Sequence, residues 1–154
     1  MKVKDIMKTN VVMVTPDTKI TEVADILIRH RFHGVPVVEG KKLVGIITED
    51  DFFLKDSARL YLPSYIGLLR ETKVLGEMSP DKKEKVNRLL NATARDIMSP
   101  GCQSISQEVE LEDLLHFFQE TKFTTVPVTE EDGVLIGIVT LIDVISLIKV
   151  VQSK

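Results

Sequence analysis

Tryptophan is absent from this 154-residue chain, and aromatic residues make up only 5% of it. Its 44% apolar content therefore rests on valine, isoleucine and leucine, which suit short buried strands packed against helices. The single cysteine, Cys102, cannot form an internal disulfide, and no Cys/His spacing resembles a zinc site. A lone thiol fits a reducing cytoplasm. No apolar run approaches the roughly 20 residues of a membrane span. Lys2, Lys4 and Asp5 interrupt what would otherwise be the start of a secretory leader. Basic residues do not dominate either: 20 Lys and Arg against 23 Asp and Glu leave a net charge of −3. That excludes the broad basic face of a general nucleic-acid binder, though not one or two local anion sites. These absences predict a soluble cytoplasmic protein with neither membrane nor nucleic acid as partner.

What the chain does have is repetition. Asp5-Ile6-Met7 returns as Asp96-Ile97-Met98, and Val35-Pro36-Val37 as Val126-Pro127-Val128, each 91 residues on. Gly45-Ile46-Ile47-Thr48 returns as Gly137-Ile138-Val139-Thr140 at an offset of 92, so the turn before the last strand has gained one residue. Two copies are too few for a solenoid. They suit two lobes related by a pseudo-two-fold axis.

Each repeat reads as strand, helix, strand, strand, helix. Val11 to Val14 is a short β-rich run closed by the turn signal Thr15-Pro16-Asp17. Ile20, Val23, Ala24, Leu27 and Ile28 then form one apolar helical stripe, repeated by Leu111, Leu114, Leu115 and Phe118. Glu22 and Asp113 favour the first turns of these helices. Strands follow over 35–38 and 43–48, and over 126–129 and 134–140. A second helix starts near Asp50 and near Ile142. The last of these is apolar at Val144, Ile145, Leu147, Ile148 and Val151, which marks it as a packing helix.

The stretch 55–91 has no counterpart elsewhere in the chain. Rich in Leu, Tyr and Ile, it lacks the Gly/Ser composition of a tether. Ser79-Pro80-Asp81 has the form of a helix start, followed by an apolar face at Val86, Leu89 and Leu90. This insert is expected to be helical, interrupted at Pro63 and Gly76. The expected division is a first repeat over 1–55, an insert over 56–92 and a second repeat over 93–154.

These motifs resemble a tandem pair of cystathionine-β-synthase (CBS) domains, the arrangement called a Bateman module. The carriers are the Asp-Ile-Met openings, the Val-Pro-Val strands, and Gly-x-x-Thr-x-x-Asp ending at Asp51 and at Asp143. The resemblance covers both ends of the chain and not the insert. It implies an α/β (α+β) fold of two βαββα lobes, each with a three-stranded sheet, packed by pseudo-two-fold symmetry. It also implies two clefts that hold adenosine-containing ligands such as AMP, ADP, ATP or S-adenosylmethionine.

The residues themselves allow such chemistry. Thr48 and Thr140 sit where a strand turns into a helix, and helix N-terminal N–H groups attract phosphate. Asp51 and Asp143 lie three residues later, placed to accept hydrogen bonds from a ribose cis-diol. The alternative is a plain capping box, in which Thr caps the helix and the acid favours its dipole. Both can hold at once.

The resemblance further implies that each cleft is shared between repeats. Thr140 and Asp143, with Ile138 in the strand before them, would face Val12, His33 and Gly34. Thr48 and Asp51, with Ile46, would face Gln103, Thr124 and Thr125. His33, near Arg29 and Arg31, favours an anion, whereas the Glu49-Asp50-Asp51 run disfavours polyphosphate by Coulomb repulsion. The Thr140/Asp143 site is therefore expected to be the tighter one.

Other candidates point to structure. His30 and His33 lack a third metal ligand, His30 and His116 belong on helix surfaces, and Cys102 is expected to be a small buried residue. Phe32 and Phe123 stand at matching repeat positions, where core packing or contact between the lobes is expected. The Lys82-Lys83-Glu84-Lys85 run suits a solvated helix face. No nucleophile–base pair, no acid/base carboxylate pair and no metal set is present, so no enzyme and no catalytic cofactor is expected.

Two functions follow. The first is a regulatory module that binds an adenine nucleotide and signals to an effector protein. The second is a scaffold with vestigial clefts, whose insert is the working surface. Either is expected to be a homodimer, because the apolar C-terminal helix needs cover.

Overall fold

A computed structural model describes residues 1–52 and 80–152. Strand β1 (Gly34–Glu39) and strand β2 (Lys42–Thr48) are joined by a two-residue turn, a connection only antiparallel neighbours allow. Gly40 takes φ +65° in that turn, a conformation that favours glycine. Strand β3 (Ser99–Pro100) completes a sheet of order β1-β2-β3, pairing antiparallel with β2 as Gly45 to Pro100 and Ile46 to Ser99. The second sheet has strands β4 (Ile105–Ser106), β5 (Thr125–Thr129) and β6 (Leu135–Thr140) in that order. β4 runs parallel to β5, and β5 antiparallel to β6. A register shift at Val128/Thr129 lies next to the turn that gained a residue.

The helices are α1 (Ile20–His30), α2 (Pro80–Asn91), the single turn α3 (Ala94–Ile97), α4 (Leu111–Thr121) and α5 (Leu141–Gln152). Helix α2 begins at Pro80, after the expected Ser-Pro-Asp start, and packs against α1. Pro63 and Gly76 lie outside the described residues, as does whatever follows the 3-10 turn Glu49–Phe52.

Two compact units emerge, and they are not the two sequence repeats. One comprises Met1–Met13, Val38–Val44 and Gly101–Lys154; the other comprises Val14–Val37 and Gly45–Pro100. Each repeat's Asp-Ile-Met opening thus packs with the body of the other repeat. In one unit, the N–H groups of Val3, Lys4 and Leu111 donate to the carbonyls of Val109, Gln107 and Met1 at 2.8–3.0 Å. In the other, those of Ala94, Arg95 and Ile20 donate to Thr18, Pro16 and Ala92 at 2.8–2.9 Å. Every donor and acceptor in the first set lies 91 residues from its counterpart in the second. The duplication therefore extends to individual hydrogen bonds.

The last strands complete the exchange. Lys8 and Ile138 trade two backbone hydrogen bonds of 2.8 and 2.9 Å. Gly137 is what lets the opening approach so closely. A Cβ there would lie 2.7 Å from Met7 Sδ and 3.1 Å from the Lys8 carbonyl, and Gly45 faces Met98 and Ser99 in the same way.

The core of the first unit is Val3, Leu114, Phe118, Val126, Val128, Val139 and Val144. The second buries Val14, Ile20, Val23, Val35, Val37, Ile47 and Ile97. Burying each such side chain stabilises by about 1.5–3 kcal/mol.

Several expectations need correction. Val11 to Val14 does not form a strand: only Val14 pairs, with Val37, and Pro16 soon after lacks the N–H a ladder needs. Ile28 is 77% exposed, so the helical stripe of α1 ends at Leu27. Phe32 and Phe123 are not core residues but are 39% and 46% exposed. Each follows a left-handed residue that ends its helix, Arg31 (φ 53°) or Lys122 (φ 58°), and that turn carries it to the surface. Phe32 stacks on His30 at 4.9 Å, and Phe123 lies against Phe117. Cys102 is only half-buried, enough to raise its thiol pKa by desolvation.

Candidate functional site

Both Thr-x-x-Asp motifs end a strand and open a helical turn, and in each the two residues bond to one another. The Thr140 N–H donates to Asp143 Oδ2 at 2.8 Å, and its hydroxyl donates to the same oxygen at 2.6 Å. The Asp143 N–H returns a bond to Thr140 Oγ1 at 3.3 Å. At the other corner the Thr48 N–H donates to Asp51 Oδ2 at 2.7 Å. The Thr140/Asp143 pair is a reciprocal helix cap, whereas at Thr48/Asp51 the bonds run only from Thr48 to the carboxylate.

Capping by itself does not mark a binding site in this chain. The Thr93 N–H donates to Asp96 Oδ2 at the same 2.7 Å, at a helix start where the acid is exposed. Asp51 and Asp143 differ from Asp96 in being only 4% and 9% exposed. They differ also in holding a second partner on Oδ1. Ser99 Oγ donates to Asp51 Oδ1 at 2.9 Å, and Lys8 Nζ lies 2.8 Å from Asp143 Oδ1. Burying a carboxylate costs free energy that an exposed cap avoids, so capping does not explain the burial of these two.

Two opposed effects set the state of Asp143. Burial, the largest single influence, raises its pKa. The hydrogen bonds from Lys8 and from the Thr140 hydroxyl and N–H, with the Lys8 charge, together outweigh it and hold the carboxyl below its ordinary value. Asp143 is therefore an anion at neutral pH, able only to accept hydrogen bonds.

Thr124, Thr125, Gly34 and His33 each meet the strand-to-helix corner of their own repeat. Thr125 is buried and pairs with Thr140 across β5 and β6, and the Thr124 carbonyl accepts the Leu141 N–H at 3.0 Å. Gly34 starts β1, with Ile46 Cδ1 and Thr48 Cγ2 at 3.4 and 3.5 Å from where its Cβ would stand. His33 Nδ1 lies 3.2 Å from Glu49 Oε1. Ile138 is half-buried in β6, Val12 is half-buried ahead of the Val14 bridge, and Gln103 is exposed. Among the described residues, no group of three His, Cys, Asp or Glu is arranged to hold a metal ion.

Lys8 and Ser99 are the site residues that sequence reasoning missed. The signal was present: they are the next pair of residues after the repeated Asp-Ile-Met, 91 apart. They differ in type, so the repeated motif does not include them.

A family model for the CBS domain matches residues 3–57 and 94–150, one match for each repeat. The chain belongs to the CBS-domain family. It is a tandem CBS pair, and its fold matches that of solved CBS pairs. It is 32% identical over 141 residues to the chloroplastic CBS domain-containing protein CBSX1 of Arabidopsis thaliana, covering 86% of this chain and 57% of that one. The chain thus spans a little over half the length of that plant relative. The CBS domain-containing protein YhcV of Bacillus subtilis is 27% identical, with 92% and 81% covered. A crystal structure of CBSX2 in complex with AMP superposes with a TM-score of 0.71 at 23% identity, covering 98% of each chain. The CBS domain pair of MJ0100, in complex with 5-methylthioadenosine and S-adenosyl-L-methionine, gives 0.67 at 23% identity, with 97% and 96% covered. Among the described residues, no helix is long and apolar enough to cross a membrane.

Proposed function

We propose that this CBS pair is a regulatory module that binds adenine nucleotides at its two strand-to-helix corners and signals to an effector protein. The observation that carries this is the matched pair of buried carboxylate corners, Thr140/Asp143 and Thr48/Asp51, each with more burial than its cap requires. Two structural relatives, CBSX2 and MJ0100, hold adenosyl compounds, which supports the assignment of ligand class. Val12, His33 and Gly34 are assigned to the Thr140/Asp143 site with Ile138. Gln103, Thr124 and Thr125 are assigned to the Thr48/Asp51 site with Ile46. The Thr140/Asp143 site is the tighter of the two. No catalytic step and no catalytic cofactor belong to this function. Cys102 remains a free thiol in a reducing compartment, the cytoplasm. The output requires the ligand to prefer one state of the module over another.

Calorimetric titration of AMP, ADP, ATP and S-adenosylmethionine into the purified chain tests this directly. Asp143→Ala should abolish the tighter event and Asp51→Ala the weaker one. Loss of the tighter event in Asp51→Ala alone would reverse the ranking.

A scaffold without ligand is the second reading, and the completed caps favour it. Thermal melts separate the two, because a ligand that binds only the folded state raises stability with the logarithm of its excess. A scaffold would melt at one temperature throughout the nucleotide panel. Under either function we propose a homodimer, supported by Ile142 and Ile145, which stand 65% and 49% exposed on α5. Sedimentation that finds only 17.3 kDa species at micromolar concentration would refute it.

A further inference from the structure

The two corners share their geometry and differ in one chemical group. Gly137 and Gly45 set Met7-Lys8 and Met98-Ser99 against the last strands at equivalent positions. On Asp143 Oδ1 that position supplies an ammonium, and on Asp51 Oδ1 a hydroxyl. The charge around each follows. Asp143 is preceded by Leu141 and Ile142 and neutralised by Lys8, whereas Asp51 ends the acidic run Glu49-Asp50-Asp51.

The contrast lies in the group that must give way to a ligand. An ionised carboxylate has about four acceptor positions. On Asp143, the Thr140 N–H, the Thr140 hydroxyl and Lys8 Nζ fill three of them. A ribose diol brings two hydroxyl donors, so both can bond only if Lys8 yields its place on Oδ1. The Lys8 side chain is 62% exposed and long, so its ammonium can swing away without breaking the backbone pair with Ile138. The released cation then stands beside a bound nucleoside and can pair with its phosphate, a charge-assisted contact. Asp51 likewise holds the Thr48 N–H, the Thr48 hydroxyl at 3.5 Å and Ser99 Oγ; the Ser99 hydroxyl can rotate off Oδ1 but brings no charge to a phosphate.

We propose that Lys8 selects anionic ligands at the Thr140/Asp143 corner by exchanging Asp143 for the phosphate. Ser99 and the acidic run leave the Thr48/Asp51 corner to adenosyl groups without phosphate. This inference rests on the nucleotide-binding function proposed above and names its selectivity residue.

The test compares AMP with adenosine, which differ only in the phosphate, by calorimetry on the full chain and on Lys8→Ser and Ser99→Lys. Each substitution installs the residue that the other repeat carries at the same place. Lys8→Ser should weaken AMP by about tenfold, the scale of one charge-assisted contact less the Asp143 pair it gives up, and should leave adenosine within a factor of about three or improve it, since a competitor is gone. Ser99→Lys should add a second AMP event. The AMP affinity of Lys8→Ser should also fall less steeply with added salt. Equal weakening of AMP and adenosine would make Lys8 structural, and an unchanged AMP-to-adenosine ratio would remove its selective role; either result overturns this inference alone. No heat with any adenosyl compound in the parent chain would instead overturn the nucleotide-binding function, and this inference with it.

Discussion

Gly137→Ala should destabilise the chain, and the reason lies in the opening segment rather than in the strand. The added methyl would meet Met7 Sδ at 2.7 Å, Met7 Cγ at 3.2 Å and the Lys8 carbonyl at 3.1 Å. The thioether can move, but the carbonyl accepts the Ile138 N–H at 2.9 Å, so moving it stretches that bond. Inserting a methyl into a packed site costs about 1–3 kcal/mol. Alanine lowers the entropy of the unfolded chain and returns about 0.4–1 kcal/mol. The net loss then centres near about 1–1.5 kcal/mol, a fall in Tm of about 2–6 °C for a chain of this size.

Urea unfolding of the parent, Gly137→Ala, Met7→Ala and the double variant isolates the cause. If Met7 is the obstacle, the double variant loses less than the sum of the singles by at least about 0.5 kcal/mol. Gly45→Ala, whose nearest atom is Met98 Sδ at 3.0 Å, should lose less than Gly137→Ala. A Gly137→Ala protein as stable as the parent, or single losses that simply add, would refute the exchange of openings between repeats as the source of the strain.

Leu114→Ala removes a fully buried side chain from the Val3–Val144 cluster and should cost about 2–5 kcal/mol in urea melts, whereas Ile28→Ala on the exposed face should change stability by less than about 0.5 kcal/mol. Glu108 takes hydrogen bonds from Lys2 and Lys4, which lower its pKa to about 2, so side-chain NMR should show it titrating there at low salt and closer to its ordinary 4.5 in strong salt. The folded value being the depressed one, the contribution of this contact is complete above the ordinary carboxyl range and fades as pH falls toward 2. Asp143 obeys the same sign: its pairing with Lys8 favours the folded chain at neutral pH and is lost in acid, and Lys8→Met should raise its NMR titration midpoint.

Most of the fold was legible because its signals were local and duplicated. Helical stripes, Val-Pro-Val strands and glycine turns each appear twice, and each copy checks the other. The exchange of openings was not legible, since it is made by backbone hydrogen bonds such as Val3 to Val109 that carry no side-chain signature. The surface position of Phe32 and Phe123 was hidden for a related reason. Arg31 and Lys122 adopt the left-handed conformation that sequence usually announces with glycine. At the site, Thr48, Asp51, Thr140 and Asp143 stood out, and their burial and bonding follow from the structure. Lys8 and Ser99 could not be paired with them from sequence, because nothing in the motif says which strand the opening will join.

The two oxygens of each corner carboxylate have separate structural duties. Oδ2 belongs to the helix start: it takes the Thr140 or Thr48 N–H, and losing that bond would leave a half-buried donor unpaired. Oδ1 belongs to the opening segment, through Lys8 or Ser99. A donor from outside the chain therefore competes on the Oδ1 side, where the displaced group is a mobile lysine or a serine hydroxyl and not a cap. That segment is also where the repeats are exchanged, tied by Val3, Lys4 and Leu111 in one unit and by Ala94, Arg95 and Ile20 in the other. A change at Oδ1 is thus felt first by the opening, one residue from the close Met7 or Met98 contact with the last strand. The helix cap can stay intact while that contact shifts, which separates what holds the corner together from what a ligand of the proposed function would move.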